Sequence, residues 1–301
     1  MARRTRGQPI NGWLLIDKPV GPTSTEVVGK VRWALSAKKA GHAGTLDPLA
    51  SGLLCVALGE ATKTVAVAQE GLKTYRFTMR LGQATATDDA EGEVIADSPL
   101  RPADAQIADA LTPYRGDILQ VPPAFSAVKV GGARAYDLAR DGAAPDLAPR
   151  PLFVSALELV DRPDPDHAVL ELVCGKGGYV RSIARDLGRD LGCYAHVATL
   201  RRLVSGGFRI ADALAFDALD RVRAGEISAP LLPISAGLAE LKEVPVPPAL
   251  AERLRQGQPV PVAPSQAAEG ETVWASLAGD PVAICRVGVA RLKPDRVIAA
   301  D

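Results

Sequence analysis

Residues 74–81 read Thr-Tyr-Arg-Phe-Thr-Met-Arg-Leu. Tyr75, Phe77, Met79 and Leu81 alternate with Thr74, Arg76, Thr78 and Arg80, and this period of two predicts a half-buried antiparallel strand with Tyr75 on its apolar face. Upstream, the run Trp13-Leu14-Leu15-Ile16-Asp17 predicts a strand, and the prolines and glycine of 18–22 a loop. Thr23 and Glu26 fit a capping box, and Val27, Val28, Val31 and Leu35 supply a helical stripe. A second loop spans 41–52 and a strand 53–58. Downstream come a polar turn (84–92), a strand (93–96) and a helix (102–114). A long excursion (120–142) follows, expected to end in a short helix over 133–141, and then a strand over 167–174. After Gly175-Lys176-Gly177-Gly178, the residues Val180, Ile183, Ala184, Leu187 and Leu191 lie at helical spacing, with Arg181 and Arg185 on one face. Strands and isolated helices without a βαβ repeat predict an α+β fold on a mixed, largely antiparallel central sheet flanked by helices. Prolines after Lys242 mark a boundary between domains 1–242 and 243–301. The second has strands at 273–277 and 281–287 around Ala278-Gly279-Asp280, a hairpin signal suggesting a small β-barrel.

The chain has 301 residues, 47 % hydrophobic and 23 % charged, which argues against disorder and coiled coil. It contains no apolar run long enough to span a bilayer and no signal-peptide pattern, so the cytoplasm is the expected location. Cys55, Cys174, Cys193 and Cys285 are scattered, and three histidines are dispersed, so neither a disulfide framework nor a metal site is expected. The 35 basic and 35 acidic residues balance, yet residues 1–42 hold eight basic residues against Asp17 and Glu26. Whole-chain neutrality therefore hides a basic end suited to phosphates. No phosphate loop, nucleophile elbow or zinc-protease motif occurs. An enzyme built from this chain would work with a carboxylate, a tyrosine and an arginine.

Gly41-His42-Ala43-Gly44-Thr45-Leu46-Asp47-Pro48-Leu49-Ala50-Ser51-Gly52 carries the densest signal. Its glycines let backbone approach a ligand, and Pro48 restrains Asp47. On spacing alone Asp47 reads first as a turn aspartate capping the next segment, and only second as a reactive carboxylate.

This loop resembles the catalytic loop of the bacterial tRNA pseudouridine synthase B family, which isomerises uridine 55 in the T-loop. The stretches Asp17-Lys18-Pro19-Val20-Gly21-Pro22-Thr23-Ser24, Gly59-Glu60-Ala61-Thr62-Lys63, Lys176-Gly177-Gly178-Tyr179-Val180-Arg181-Ser182 and Leu200-Arg201-Arg202 are similar to further family motifs. The C-terminal strands resemble a PUA-like domain. One departure is visible. In Thr85-Ala86-Thr87-Asp88-Asp89-Ala90-Glu91-Gly92 the family's first aspartate is Ala86, while Asp89 remains.

The resemblance implies a pseudouridine synthase fold and an isomerase needing no cofactor or metal. It implies Asp47 as nucleophile, Arg181 as its ion-pair partner and Tyr75 as the stacking partner of a flipped uracil. Tyr179 and Leu200 would line the pocket, and His42 would fill the place the base leaves. Lys18 is implied at the substrate site as a buttress of the loop, and Lys129 and Arg134, with Arg140, would lie near RNA phosphates. The implied partner is the tRNA T-arm, met by a monomer without membrane or obligate protein partner. Two other readings stay open: a non-catalytic RNA-binding or tRNA-folding protein, and a guide-RNA-dependent synthase of the dyskerin type.

Overall fold

The computed structural model describes residues 7–126, 128–130, 133–136, 147–263 and 265–299. The chain divides into two compact units. Residues 1–48, 52–71 and 205–301 form the first, and 49–51 and 72–204 the second.

In the first unit, β1 (Gly12–Lys18) pairs antiparallel with β3 (Ala50–Leu58) and parallel with a short strand at Leu214–Ala215, while β2 (Ala40–His42) lies on the other side of β3. β1 is apolar without alternation because both faces are covered. Leu14 and Ile16 pack with Val27, Val31, Leu54 and Val56 against the helix Ser24–Leu35. Trp13 and Leu15 face the opposite cluster with Leu53 and Cys55, and the Trp13 ring sits 5.1 Å from that of Phe208. The predicted capping box is present: Glu26 N donates to Thr23 Oγ1, and Thr23 N to the Glu26 carboxylate.

The five-stranded C-terminal sheet belongs to the same unit. Its order is Lys242–Pro245, Thr272–Leu277, Asp280–Gly288, Arg291–Val297 and Val260–Pro261. Ala278 and Gly279 both have positive φ (54° and 87°), as a two-residue hairpin turn that follows strand twist requires. The core cluster of Trp274, Ile284, Ile298 and Leu238 has Val67 packed against it. Lys63 Nζ donates to Glu60 and to Val297 O, and Ala299 N donates to the same Glu60 carboxylate (2.6 Å).

In the second unit five strands run in the order β12 (Ala195–Ser205), β4 (Lys73–Leu81), β11 (His167–Cys174), β10 (Arg150–Asp164), β7 (Gly116–Gln120), and the pairings of β4, β11, β10 and β7 are antiparallel. Phe77, Met79 and Leu81 are buried as the alternation predicts, and Arg76 pairs directly across with Glu171 (2.7 Å). The apolar face of the helix Val180–Asp190 is buried through Val180, Ile183, Ala184 and Leu187. These strands and helices make the mixed, largely antiparallel α+β architecture that was expected. All four cysteines are free and buried. No helix among the described residues is long and apolar enough to cross a membrane.

Two expectations are corrected. Ala133 and Arg134 form a strand paired with Lys129–Val130, where a helix start was expected. Ala135 and Tyr136 are helical, and the remainder of that helix, with Arg140, lies outside the described residues. The 15-residue β10 and the 11-residue β12 were not anticipated.

Candidate functional site

Asp47 sits half-buried between the buried Leu46 and Leu49 in the loop joining β2 to β3. Both of its neighbours are pinned. The Ser24 hydroxyl donates to Leu46 O and accepts from Leu46 N, each at 2.9 Å. Pro48 O accepts from Gly21 N (2.9 Å) and from Lys18 Nζ (3.2 Å), which also donates to Pro19 O. Ser24 opens the capped helix, so the capping box that fixes the helix start also fixes the hydroxyl holding the loop. Lys18 is fully buried at the end of β1 and its ammonium faces loop carbonyls, the position of a buttress. His42 ends β2, half-buried, in register with Val56 on β3, and Ala43 N donates to Cys55 O. The main chain on either side of Asp47 is thereby fixed, so the loop presents its carboxylate from a held backbone. Ser24→Ala is expected to leave both Leu46 groups without the hydroxyl, at a cost of about 1–3 kcal/mol, read as a lower urea midpoint at unchanged m-value.

The second unit carries the other expected residues. Tyr75 stands on β4 opposite Leu172, less buried than Phe77 and Met79. Leu200 is buried on β12, and its carbonyl accepts from Ser51 Oγ at 3.4 Å. Tyr179 caps the helix Val180–Asp190. The Gln120 side chain grips its backbone on both sides, donating to Tyr179 O (3.1 Å) and accepting from Tyr179 N (2.8 Å). The Tyr179 ring packs on Val128, Ala135 and Leu147, so the excursion builds a small core against it. Within that excursion the backbone register places Lys129 opposite Arg134.

Arg181 is only 6 % exposed, unlike the solvated helix arginine that its spacing alone would suggest. Its guanidinium lies 3.4 Å from Asp89 and donates to Thr87 O and Phe125 O. One turn later, Arg185 meets Asp88 at 3.1 Å, donates to Val121 O and holds Asp186. The two arginines on one helix face thus grip two adjacent aspartates. Asp88 adopts a left-handed conformation (φ 61°), an uncommon backbone region that aspartate enters more readily than most residues. The resulting turn lets successive carboxylates face the same helix. Burial pushes the Asp88 carboxyl above its usual range, against the pull of Arg185. Asp89 accepts further from Thr87 Oγ1 and Glu91 N, so it is the charged hub of the turn. Ala86 is exposed and joins Glu93 through its backbone N–H, so the turn closes without a side chain at that position.

Sequence reasoning left Ser24, Gln120 and Arg185 without roles. Ser24 lay inside a quoted motif and Arg185 shared a face with Arg181, whereas Gln120 gave no signal.

Residues 32–180 match the model described as TruB family pseudouridylate synthase (N terminal domain), and residues 181–239 the one described as tRNA pseudouridylate synthase B C-terminal domain. A tRNA pseudouridine synthase B of Ruegeria pomeroyi is 58 % identical over 300 residues, covering 99 % of each chain. One from Cereibacter sphaeroides is 58 % identical over 298 residues with the same coverage. Among solved structures, a Cbf5-Nop10-Gar1 complex aligns with TM-score 0.75 at 23 % identity, covering 99 % of this chain and 91 % of that one. An H/ACA RNP bound to a substrate RNA containing 2'-deoxyuridine aligns at 0.74 and 21 %, covering 100 % and 92 %. At that identity the likeness concerns the fold. Sequence identity and family models together place the chain: it belongs to the TruB family of pseudouridylate synthases, which are isomerases.

Proposed function

We propose that the chain converts uridine 55 in the T-loop of tRNA to pseudouridine, acting in the cytoplasm as a monomer and without a guide RNA. The reaction breaks the N1–C1′ bond, turns the uracil and joins C5 to C1′. The C5 proton is lost and N1 gains one, so there is no net redox change and no need for a cofactor. Asp47 is the nucleophile, and the observation that carries this role is its fixation through Leu46 and Pro48. Arg181 supplies the positive charge that keeps a carboxylate ionised once the nucleoside displaces water. Tyr75 stacks on the everted base and relays the proton from C5, giving up its own phenol proton as it takes this one, while Tyr179 and Leu200 bound the space the base occupies. His42 fills the vacated position in the RNA stack. Lys18 acts through the loop it supports. Lys129 and Arg134 contact phosphates, and residues 243–301 add a PUA-like RNA contact. Phosphate contacts of this kind position the RNA and weaken with salt.

The test is mass-resolved mapping of pseudouridine in unmodified tRNA, and in a bare T-arm hairpin, after incubation with the purified chain alone. Conversion of both at position 55 is expected. Conversion only with an added guide RNA would favour the dyskerin-type reading, and tight binding without conversion the non-catalytic one.

A further inference from the structure

At the C-terminal end of the helix Ser24–Leu35, a surface cavity of about 500 Å³ is lined by Gly29, Arg32, Trp33, Ser36 and Arg223, together with Gly7 and Ala37. Trp33 is 50 % exposed, whereas Trp13 and Trp274 are buried. The Arg223 guanidinium sits over the Trp33 ring at 5.5 Å and donates to Ser36 Oγ (2.7 Å) and Trp33 O. Two other cations near this helix are neutralised: Lys30 meets Asp220 at 2.9 Å, and Arg221 meets Glu226 at 3.2 Å. Among the described residues neither Arg32 nor Arg223 has a carboxylate partner, and no carboxylate lines the cavity. Gly29 leaves the floor open, since a Cβ there would meet nothing within 4 Å.

An indole held open to solvent beside two uncompensated guanidiniums matches the two parts of a nucleotide, a π-face for the base and positive charge for the phosphate. We propose that this cavity is a second RNA-binding site, which holds one single-stranded nucleotide of the substrate tRNA through base stacking on Trp33 and a phosphate on Arg32 and Arg223. The site rests on the reading of the chain as a tRNA-modifying enzyme. It lies on the same helix as Ser24, which anchors Leu46 beside Asp47, but nine residues further on, about 14 Å along the helix axis. It therefore adds affinity for the RNA and takes no part in bond making.

Two measurements test it. With only Trp33 exposed among the three tryptophans, acrylamide-accessible fluorescence reports this side chain, and Trp33→Phe identifies its signal. Saturating unmodified tRNA is expected to protect Trp33 from quenching in the Asp47→Ala protein, where no turnover occurs. In the otherwise unaltered enzyme, Gly29→Glu fills the floor and adds a negative charge at an exposed helix position where Glu is the better helix former, so folding is retained. It is expected to raise KM for tRNA roughly five- to tenfold at unchanged kcat. Trp33 quenched equally with and without bound tRNA, or a KM for Gly29→Glu within twofold of the parent, would overturn the site. A parent enzyme that forms no pseudouridine would instead overturn the function, and the quenching result would still decide whether RNA occupies this cavity.

Discussion

Asp47→Ala is expected to stop pseudouridine formation, lowering the rate by at least roughly 10³-fold while tRNA affinity is kept. The pattern follows from where Asp47 stands. Its neighbours are tied down by Ser24, Gly21 and Lys18 through main-chain atoms of Leu46 and Pro48, and none of those bonds uses the Asp47 side chain. Removing the carboxylate should thus leave the loop in place and take away the attacking group. Single-turnover assays with a filter-binding control check this. A variant that modifies tRNA at the parental rate would remove Asp47 from the chemistry and restore its reading as a turn residue.

Asp89→Ala carries the second large effect, and its cause is different. Asp89 touches no reacting atom in the proposed mechanism, yet it is 3 % exposed and pairs with the buried Arg181. Deleting one member of a buried pair strands the other charge, at a cost of about 3–5 kcal/mol. It also frees the Thr85–Glu91 turn, which Asp89 holds through Thr87 Oγ1 and Glu91 N. A guanidinium displaced by about an ångström costs on the order of 10²-fold in rate. Both a lower denaturation midpoint and a slower single-turnover rate are expected, with tRNA affinity unchanged. Asp89→Asn, which keeps an acceptor for Glu91 N but loses the charge, should recover part of the stability and little of the rate. An Asp89→Ala protein with parental rate and stability would show that Arg181 needs no second anchor.

Much of this architecture was legible because the relevant signals are local. Alternation over 74–81 placed β4, helical spacing after Gly178 placed the helix that bears Arg181, and Thr23 with Glu26 marked the start of the helix that bears Ser24. β10 escaped because Pro151 and Pro163 interrupt it and register shifts between Val154 and Ala156, and between Leu159 and Asp161, break its alternation. The helix expected from 133 begins two residues later, at Ala135, since pairing of Ala133 and Arg134 with Lys129–Val130 outweighs the helix preference of alanine and arginine there. The candidate catalytic residues were named through family motifs, because nothing at Arg181 alone distinguishes a buried cation from a solvated one. The Arg181–Asp89 and Arg185–Asp88 pairs join positions more than ninety residues apart, which no window of sequence can show.

The tie between Ala299, Val297 and the Glu60–Lys63 pair has a practical side. Deleting Val297 to Ala299 would strip a backbone donor from Glu60 and a carbonyl from Lys63, so a change in that segment would be felt in the turn that leaves β3.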